Sequence, residues 1–196
     1  MDMLNSAHNP RFVLTGGPGF GKSSIIKHLK LLGLPAYPDA ARELIHSGWI
    51  PPIRSEKPSG GAFLREVIQR RIRDHQESES LKIAFFDRGL PDSIGFSAFM
   101  GHGVPEEQLA EIKQYPYHPV VFITPVWPEI YTRDPERRED LGTAVRLHEC
   151  IVEAYVNLGY RTLEIPRGTI QERSGWVVQE AGKLLGYKMI DNISLL

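Results

Sequence analysis

Five short apolar runs divide the chain, at residues 11–15, 34–37, 82–87, 119–124 and 161–165. Several of these runs lack the polar alternation of a strand with one solvated face, which indicates strands that are covered on both faces of a parallel sheet. Between and after them, apolar residues recur at helical spacing over residues 22–32, 40–47, 62–78, 106–114, 140–158 and 170–185. Alternating strands and helices predict an α/β fold with a parallel five-stranded sheet between two layers of helices.

The length of 196 residues fits one domain, which we expect over residues 10–190 after a short tail at 1–9. Two irregular stretches interrupt the pattern. Residues 46–62 are rich in proline and glycine, and residues 125–142 carry a dense cluster of charges. Loops of this length in a compact domain often act as lids or binding segments.

Composition narrows the possible partners. The formal net charge is −1, so no overall positive field favours nucleic acid or a membrane surface. Cys150 is the only cysteine, which excludes an internal disulfide and a metal site built from cysteines. The N-terminus lacks a signal-peptide pattern, and no apolar run approaches the ~20 residues of a membrane span, so we expect a cytoplasmic protein.

A glycine-rich turn between the first strand and the first helix carries the strongest chemical signal. Residues 16–23 read G-G-P-G-F-G-K-S, which matches the P-loop pattern G-x-x-x-x-G-K-[ST] in its required strand–turn–helix context. In such a loop, backbone N–H groups and the start of the helix form a nest for phosphates. The predicted nucleoside triphosphate site consists of Gly16, Gly17, Pro18, Gly19, Phe20, Gly21, Lys22, Ser23 and Ser24.

Within this site Lys22 is expected to contact the β- and γ-phosphates, and the Ser23 hydroxyl to bind Mg²⁺. Asp87 ends the third apolar run and is the predicted Walker B residue, acting on the metal directly or through water. Arg88 follows it, so the glutamate of water-activating ATPases is missing there. A GTP-dependent switch is disfavoured, because residues 92–95 fit D-x-x-G only beyond the strand end and no N-K-x-D occurs.

Five segments together resemble one protein family: FVLTGGPGFGKSS, PDAAREL, FFDRG, IYTRDPERRE and YVNLGYRTLEIP. The resemblance is to the small AAA-labelled P-loop ATPases and kinases, a group that includes NadR-type ribosylnicotinamide kinase domains. It extends over residues 10 to 182. It implies a nucleotide-kinase-like core that uses ATP and Mg²⁺, a sheet order of 2-3-1-4-5, a lid within residues 125–142 and an acceptor-side loop within 46–62.

The resemblance also implies roles for single residues. Arg88 would contact the phosphoryl acceptor, and Asp39, at the end of the second strand, would act as general base. The family often has the longer glutamate at that position, and Asp39 fits a helix N-cap equally well, so both readings stay open. Arg133 and Arg137 would clamp phosphates from the lid, the alternative being a solvated face of Arg/Glu pairs.

These features predict ATP- and Mg²⁺-dependent phosphoryl transfer to a small acceptor such as a nucleoside or nucleotide. The alternative is a regulatory protein that binds ATP, hydrolyses it slowly and switches a partner interaction. The sequence does not name the acceptor. Residues 167–169 are candidates for contact with the base, whereas the arginines at 65, 70, 71 and 73 receive no role, since surface arginines on a helix are common.

Overall fold

The computed structural model describes residues 9–49, 60–131 and 140–187. Its strands are β1 (Arg11–Thr15), β2 (Ala36–Tyr37), β3 (Ala84–Asp87), β4 (Val120–Ile123) and β5 (Arg161–Glu164). Its helices are α1 (Lys22–Leu31), α2 (Ala40–His46), α3 (Gly60–Glu77), α4 (Asp92–Phe99), α5 (Glu106–Gln114), α6 (Leu141–Asn157) and α7 (Ile170–Leu185), with a 3₁₀ turn at Pro128–Ile130.

The five strands form one sheet in the order β2-β3-β1-β4-β5, and every neighbouring pair is parallel. The predicted α/β class and strand order are therefore confirmed. In the register between β1 and β3, Leu14 lies opposite Asp87, and between β1 and β4, Thr15 lies opposite Ile123. The carboxyl ends of the three central strands thus meet at one edge, where this kind of sheet binds its ligands.

Side chains of β1 alternate between two hydrophobic cores. Phe12 and Leu14 pack with residues of α1 and α7 on one face, and Val13 packs with residues of α3 and α6 on the other. All three are completely buried. Helices on both faces explain why the strand sequences show no polar alternation.

Helix α4 is an element that the sequence pattern did not predict. Its buried positions include Asp92, Ser93, Gly95 and Ser97, so no apolar stripe marks its inner face. A Cβ on Gly95 would lie 2.6 Å from the Cα of Ile151 in α6, which shows how closely the two helices approach. Small and polar residues are required by that approach, and a search for hydrophobic periodicity therefore misses the helix.

Elsewhere the predicted boundaries differ from the observed ones mainly at the ends. The second strand is limited to residues 36 and 37, since Pro35 has no N–H with which to extend the ladder. Residues 50–59 of the predicted acceptor-side loop and 132–139 of the predicted lid lie outside the described residues. In the parts of the chain that the structure describes, no helix has both the length and the apolar character to cross a membrane.

Candidate active site

The glycine-rich turn joins the carboxyl end of β1 to the start of α1, as the sequence predicts. Gly19 and Gly21 both have φ of 83°, a left-handed conformation in which a side chain is strained. Gly17 is restricted by packing instead, because a Cβ there would lie 2.7 Å from the carbonyl oxygen of Ala144 and 2.5 Å from the ring of Phe20. Both kinds of constraint favour glycine at these three positions of the loop.

Lys22, the first residue of α1, folds back over the loop. Its Nζ donates hydrogen bonds to the carbonyl oxygens of Gly16 at 2.9 Å and Gly17 at 2.6 Å. Burial, reinforced by the charge of Arg88, lowers the pKa of Lys22 to about 7. An anion held beside the ammonium group would favour its charged form, so this lysine suits a site for phosphates.

Ser23 and Asp87 meet where α1 begins and β3 ends. The Ser23 hydroxyl donates to Oδ2 of Asp87 at 2.7 Å, while Oδ1 of Asp87 is buried and has no hydrogen-bond partner within the described parts of the chain. Burial raises the pKa of Asp87, and the nearby carboxylate of Asp39 raises it further.

An unpartnered buried carboxylate oxygen beside a hydroxyl fits Mg²⁺, a hard cation that takes oxygen ligands and that would offset the cost of burying the charge. The described residues contain no group of three or more Asp, Glu, His or Cys side chains able to hold a metal ion. Two protein oxygens with phosphate and water oxygens is the usual arrangement for Mg²⁺ at a nucleotide.

Arg88 links the glycine-rich loop to two carboxylates. Its Nη1 donates to the Gly16 carbonyl oxygen at 3.0 Å and to Oδ1 of Asp92 at 2.9 Å, and its Nε donates to Oδ2 of Asp39 at 3.2 Å. Among the described residues it is the only non-glycine with a positive φ, 76°. Such strain costs about 1–3 kcal/mol and persists where surrounding contacts enforce it.

Arg88 keeps its positive charge although its side chain is only 5% exposed. Burial acts to lower its pKa, but the carboxylates of Asp92 and Asp39 outweigh burial and raise the pKa above the ordinary value. The guanidinium therefore presents a permanent positive charge at the carboxyl end of β3.

Asp92 anchors this network from the first turn of α4. Its side chain is completely buried and accepts four hydrogen bonds, two at each carboxylate oxygen. The donors are the Thr15 hydroxyl, Arg88 Nη1, the Gly89 N–H and the Tyr155 hydroxyl. Burial acts to raise the pKa of Asp92, yet the two arginines at positions 88 and 71 and the hydroxyl donors lower it overall.

Asp39 occupies the position predicted for it, and the structure shows how its two oxygens are used. Oδ1 accepts from the Ala41 N–H at 3.0 Å and caps α2, while Oδ2 accepts from Arg88. The capping interpretation is confirmed. The role as general base stays a prediction.

His148, in α6, is a contact of the glycine-rich loop that the sequence did not single out. Its Nδ1 accepts a hydrogen bond from the Gly17 N–H at 3.1 Å. Burial, with the positive charges of Lys22 and Arg88, lowers the pKa of His148 to about 4. The ring is therefore neutral near pH 7 and can act as an acceptor. A histidine 131 positions further along the chain carries no local signal of this contact.

Arg173, in α7, contacts the loop from the other side and was also missed. Its Nη2 donates to the Phe20 carbonyl oxygen at 3.1 Å, and its guanidinium lies 5.3 Å from the ring centroid of Trp127. Arg167, one of the residues considered for base contact, lies 5.8 Å from the same ring. Thr169, another, caps α7 in a reciprocal arrangement with Glu172.

The remaining predicted residues fall into two groups. Pro18 is half-buried in the loop and Ser24 is exposed in the first turn of α1. Arg133 and Arg137 lie outside the described residues, so their predicted role in the lid stays a prediction. The structure thus brings together the P-loop, Asp87, Arg88 and Asp39 at one edge of the sheet.

The fold and this arrangement define the class: a P-loop protein with the five-stranded architecture of nucleotide kinases. A family model described as an AAA domain matches residues 11–173, and the chain belongs to that family. No curated protein matches the sequence.

Solved structures of two kinases and of the NadR protein share the fold. A deoxyadenosine kinase from M. mycoides with bound dATP is 14% identical with a TM-score of 0.56, and the match covers 87% of this chain and 98% of that one. A thymidylate kinase from Candida albicans is 16% identical with a TM-score of 0.61, covering 91% and 94%. The NadR protein in complex with NR is 14% identical with a TM-score of 0.66, covering 89% of this chain but 52% of NadR. At these identities the likeness concerns the fold.

Proposed function

We propose that this protein is an ATP- and Mg²⁺-dependent kinase that transfers the γ-phosphoryl group to a small acceptor such as a nucleoside or nucleotide. The observation that carries the proposal is the meeting of Lys22, Ser23 and Asp87 within one loop and strand end. The loop alone would be enough to bind a nucleotide. The adjoining Arg88–Asp39 pair adds charged groups at the neighbouring strand ends that nucleotide binding by itself does not need. Support also comes from the fold, which is that of kinases for nucleosides and nucleotides.

On the triphosphate side, backbone N–H groups of the loop would surround the phosphates, with Lys22 at the β/γ position. Ser23 and Asp87 would hold Mg²⁺, which supplies positive charge that bridges the phosphates and offsets negative charge as it develops. Arg133 and Arg137 would add positive charge from the lid. His148 and Arg173 hold the loop from two sides, so less ordering is needed when the nucleotide binds.

On the acceptor side, Arg88 would orient the acceptor and stabilise the transferred group, and Asp39 would receive the proton of the attacking hydroxyl. Both oxygens of Asp39 are engaged in the described structure, by the α2 cap and by Arg88. A carboxylate has about four acceptor positions, so each oxygen of Asp39 keeps one that could receive the proton while the two existing contacts hold the side chain in place.

That engagement favours a second candidate, a regulatory protein that binds ATP, hydrolyses it slowly and switches a partner interaction. A carboxylate held by a cap and an arginine is suited to a structural role. The two candidates differ in what limits nucleotide consumption. For a kinase it is the acceptor, and for a switch it is a protein partner.

The deciding experiment measures ATP consumption with Mg²⁺ against nucleosides, nucleoside monophosphates and nicotinamide riboside, with GTP as a competing nucleotide. We expect one compound to raise the rate strongly. Lys22→Ala should reduce that rate about 10²- to 10³-fold, since it removes a positive charge at the reacting phosphates. Lys27→Ala is the matched control, because Lys27 is exposed on the same helix.

Two results would contradict the proposal. A slow rate that no acceptor changes, together with tight ATP binding, would favour the regulatory switch. If GTP competes so strongly that the protein must bind it more tightly than ATP, the result would favour a GTP-binding protein, which the sequence disfavours.

A further inference from the structure

Arg71 is a buried arginine that the proposed mechanism does not use. It lies in α3, and its side chain is on the same helix face as Val67 and Ile68, which are buried. Arg71 itself is 4% exposed. Its Nε and Nη1 atoms are buried and have no hydrogen-bond partner among the residues that the structure describes.

The other arginines of α3 show the contrast. Arg65 pairs with Glu107 and Glu111, Arg70 with Asp74, and Arg73 with Glu66. These three are each more than a third exposed, so they need a partner less than Arg71 does. Within residues 9–49, 60–131 and 140–187, the structure gives a carboxylate to each arginine of this helix except the buried one.

Asp92 does not serve as the partner of Arg71. Asp92 is close enough for Arg71 to lower its pKa, but both of its oxygens already accept two hydrogen bonds each from other donors. A carboxylate has about four acceptor positions, so Asp92 has none left for Arg71. The charge of Arg71 remains without a direct partner in the described chain.

The position of Arg71 points to the acceptor side. Val67 belongs to the same small hydrophobic cluster as Phe63 and Ala40, and Ala40 is the first residue of α2, immediately after Asp39. Arg71 lies one helical turn beyond Val67, between positions whose neighbours Ile68 and Ile72 pack on β1 and β3. It is close enough to Asp92 to act on its charge, and Asp92 binds Arg88, so Arg71 lies on the face of the sheet that α3 covers, on the Asp92 side of the site.

An uncompensated buried charge is strongly unfavourable, so a bound ligand of opposite charge would relieve a large cost at Arg71. A guanidinium group matches phosphate and carboxylate in geometry as well as in charge. We propose that Arg71 binds an oxyanion of the acceptor, either a phosphate monoester or a carboxylate, so that the acceptor is an anion and not a neutral nucleoside. This inference rests on the proposed function, in that it assigns the substrate class of the same site.

The experiment uses the protein saturated with Mg²⁺ and a non-hydrolysable ATP analogue, so that the P-loop cannot bind the anions tested. Titration calorimetry then compares nucleoside 5′-monophosphates with the matching nucleosides, and hydroxycarboxylic acids with their amides. We expect one anion to bind and its neutral counterpart not to. The two pairs of compounds distinguish a phosphate monoester from a carboxylate.

Arg71→Met should weaken binding of that anion about 10- to 150-fold, the range expected for loss of a charge-assisted hydrogen bond. Arg71→Lys keeps the charge but not the planar geometry, so its affinity for the anion should lie between those of the unaltered protein and Arg71→Met. Arg73→Met is the control, because Arg73 is exposed on the same helix and pairs with Glu66. It should bind the anion as the unaltered protein does.

A second readout separates ligand binding from a structural role. Removing an unpartnered buried charge should leave the melting temperature of the acceptor-free protein unchanged or higher. A lower melting temperature in Arg71→Met with unchanged anion affinity would overturn the inference, as would binding of none of the anions. Anion binding that depends on Arg71 without any phosphoryl transfer would uphold it and contradict the proposed kinase activity instead.

Discussion

Replacing Asp92 with asparagine tests whether one buried carboxylate holds the active-site network together. The side chain keeps its shape but loses its charge, and one of its oxygens becomes an N–H₂ group facing two donors. Arg88 then loses an ion pair of 2.9 Å in which both side chains are at most 5% exposed. Breaking one partner of a buried pair costs about 3–5 kcal/mol.

The free energy of unfolding, measured in urea, should fall by that amount in Asp92→Asn. In a protein of this size the melting temperature would fall by about 6–20 °C. Glu66→Gln is the matched control. Its ion pair with Arg73 is between partly exposed side chains, so we expect a loss within about 1 kcal/mol.

The pH dependence of the free energy of unfolding tests the same role of the Asp92 charge. Because the folded pKa of Asp92 lies below its ordinary value, its charge stabilises the protein above the unfolded pKa of about 3.9. This contribution is lost as pH falls through the lower, folded value. Asp92→Asn should therefore lose less stability on acidification than the unaltered protein. A loss below about 1 kcal/mol at pH 7, no larger than that of the control, would refute the argument.

Three further predictions concern packing, titration and the loop. Gly95→Ala should destabilise the protein by about 1–3 kcal/mol, because the added methyl group collides with Ile151. Gly175→Ala should stabilise it by roughly 0.5–1 kcal/mol, because Gly175 lies in α7 with open space around it. Urea unfolding measures both changes. Without nucleotide, the free energy of unfolding should rise from pH 7 to 9 relative to that of Lys22→Met. The reason is that folded Lys22 loses its proton near pH 7, whereas Lys22 in the unfolded chain keeps it. Parallel pH curves for the two proteins would contradict this. His148→Ala should raise the KM for ATP about 2- to 12-fold with little change in kcat, as expected for one lost hydrogen bond, and an unchanged KM would show that the contact is dispensable.

Elements with a strong local pattern were predictable from the sequence. The strands and most helices follow apolar periodicity, and the P-loop follows from residues within one turn of each other. Helix α4 was not predictable in this way. Its inner face carries Asp92 and Gly95 in place of apolar residues. Gly95 is needed for the close approach of α6, and Asp92 accepts hydrogen bonds from distant parts of the chain.

The candidate site likewise contains some features that the sequence predicts and others that it does not. The sequence by itself determined the glycine-rich loop, its lysine and serine, and the aspartate that ends β3, because each belongs to a local pattern of strand, turn or helix. Tertiary structure alone decided that His148 contacts the loop, that both oxygens of Asp39 are engaged, and that Arg71 is buried with no carboxylate partner among the described residues. Burial and pairing depend on which distant segments pack together, and a single residue's identity carries no record of that packing.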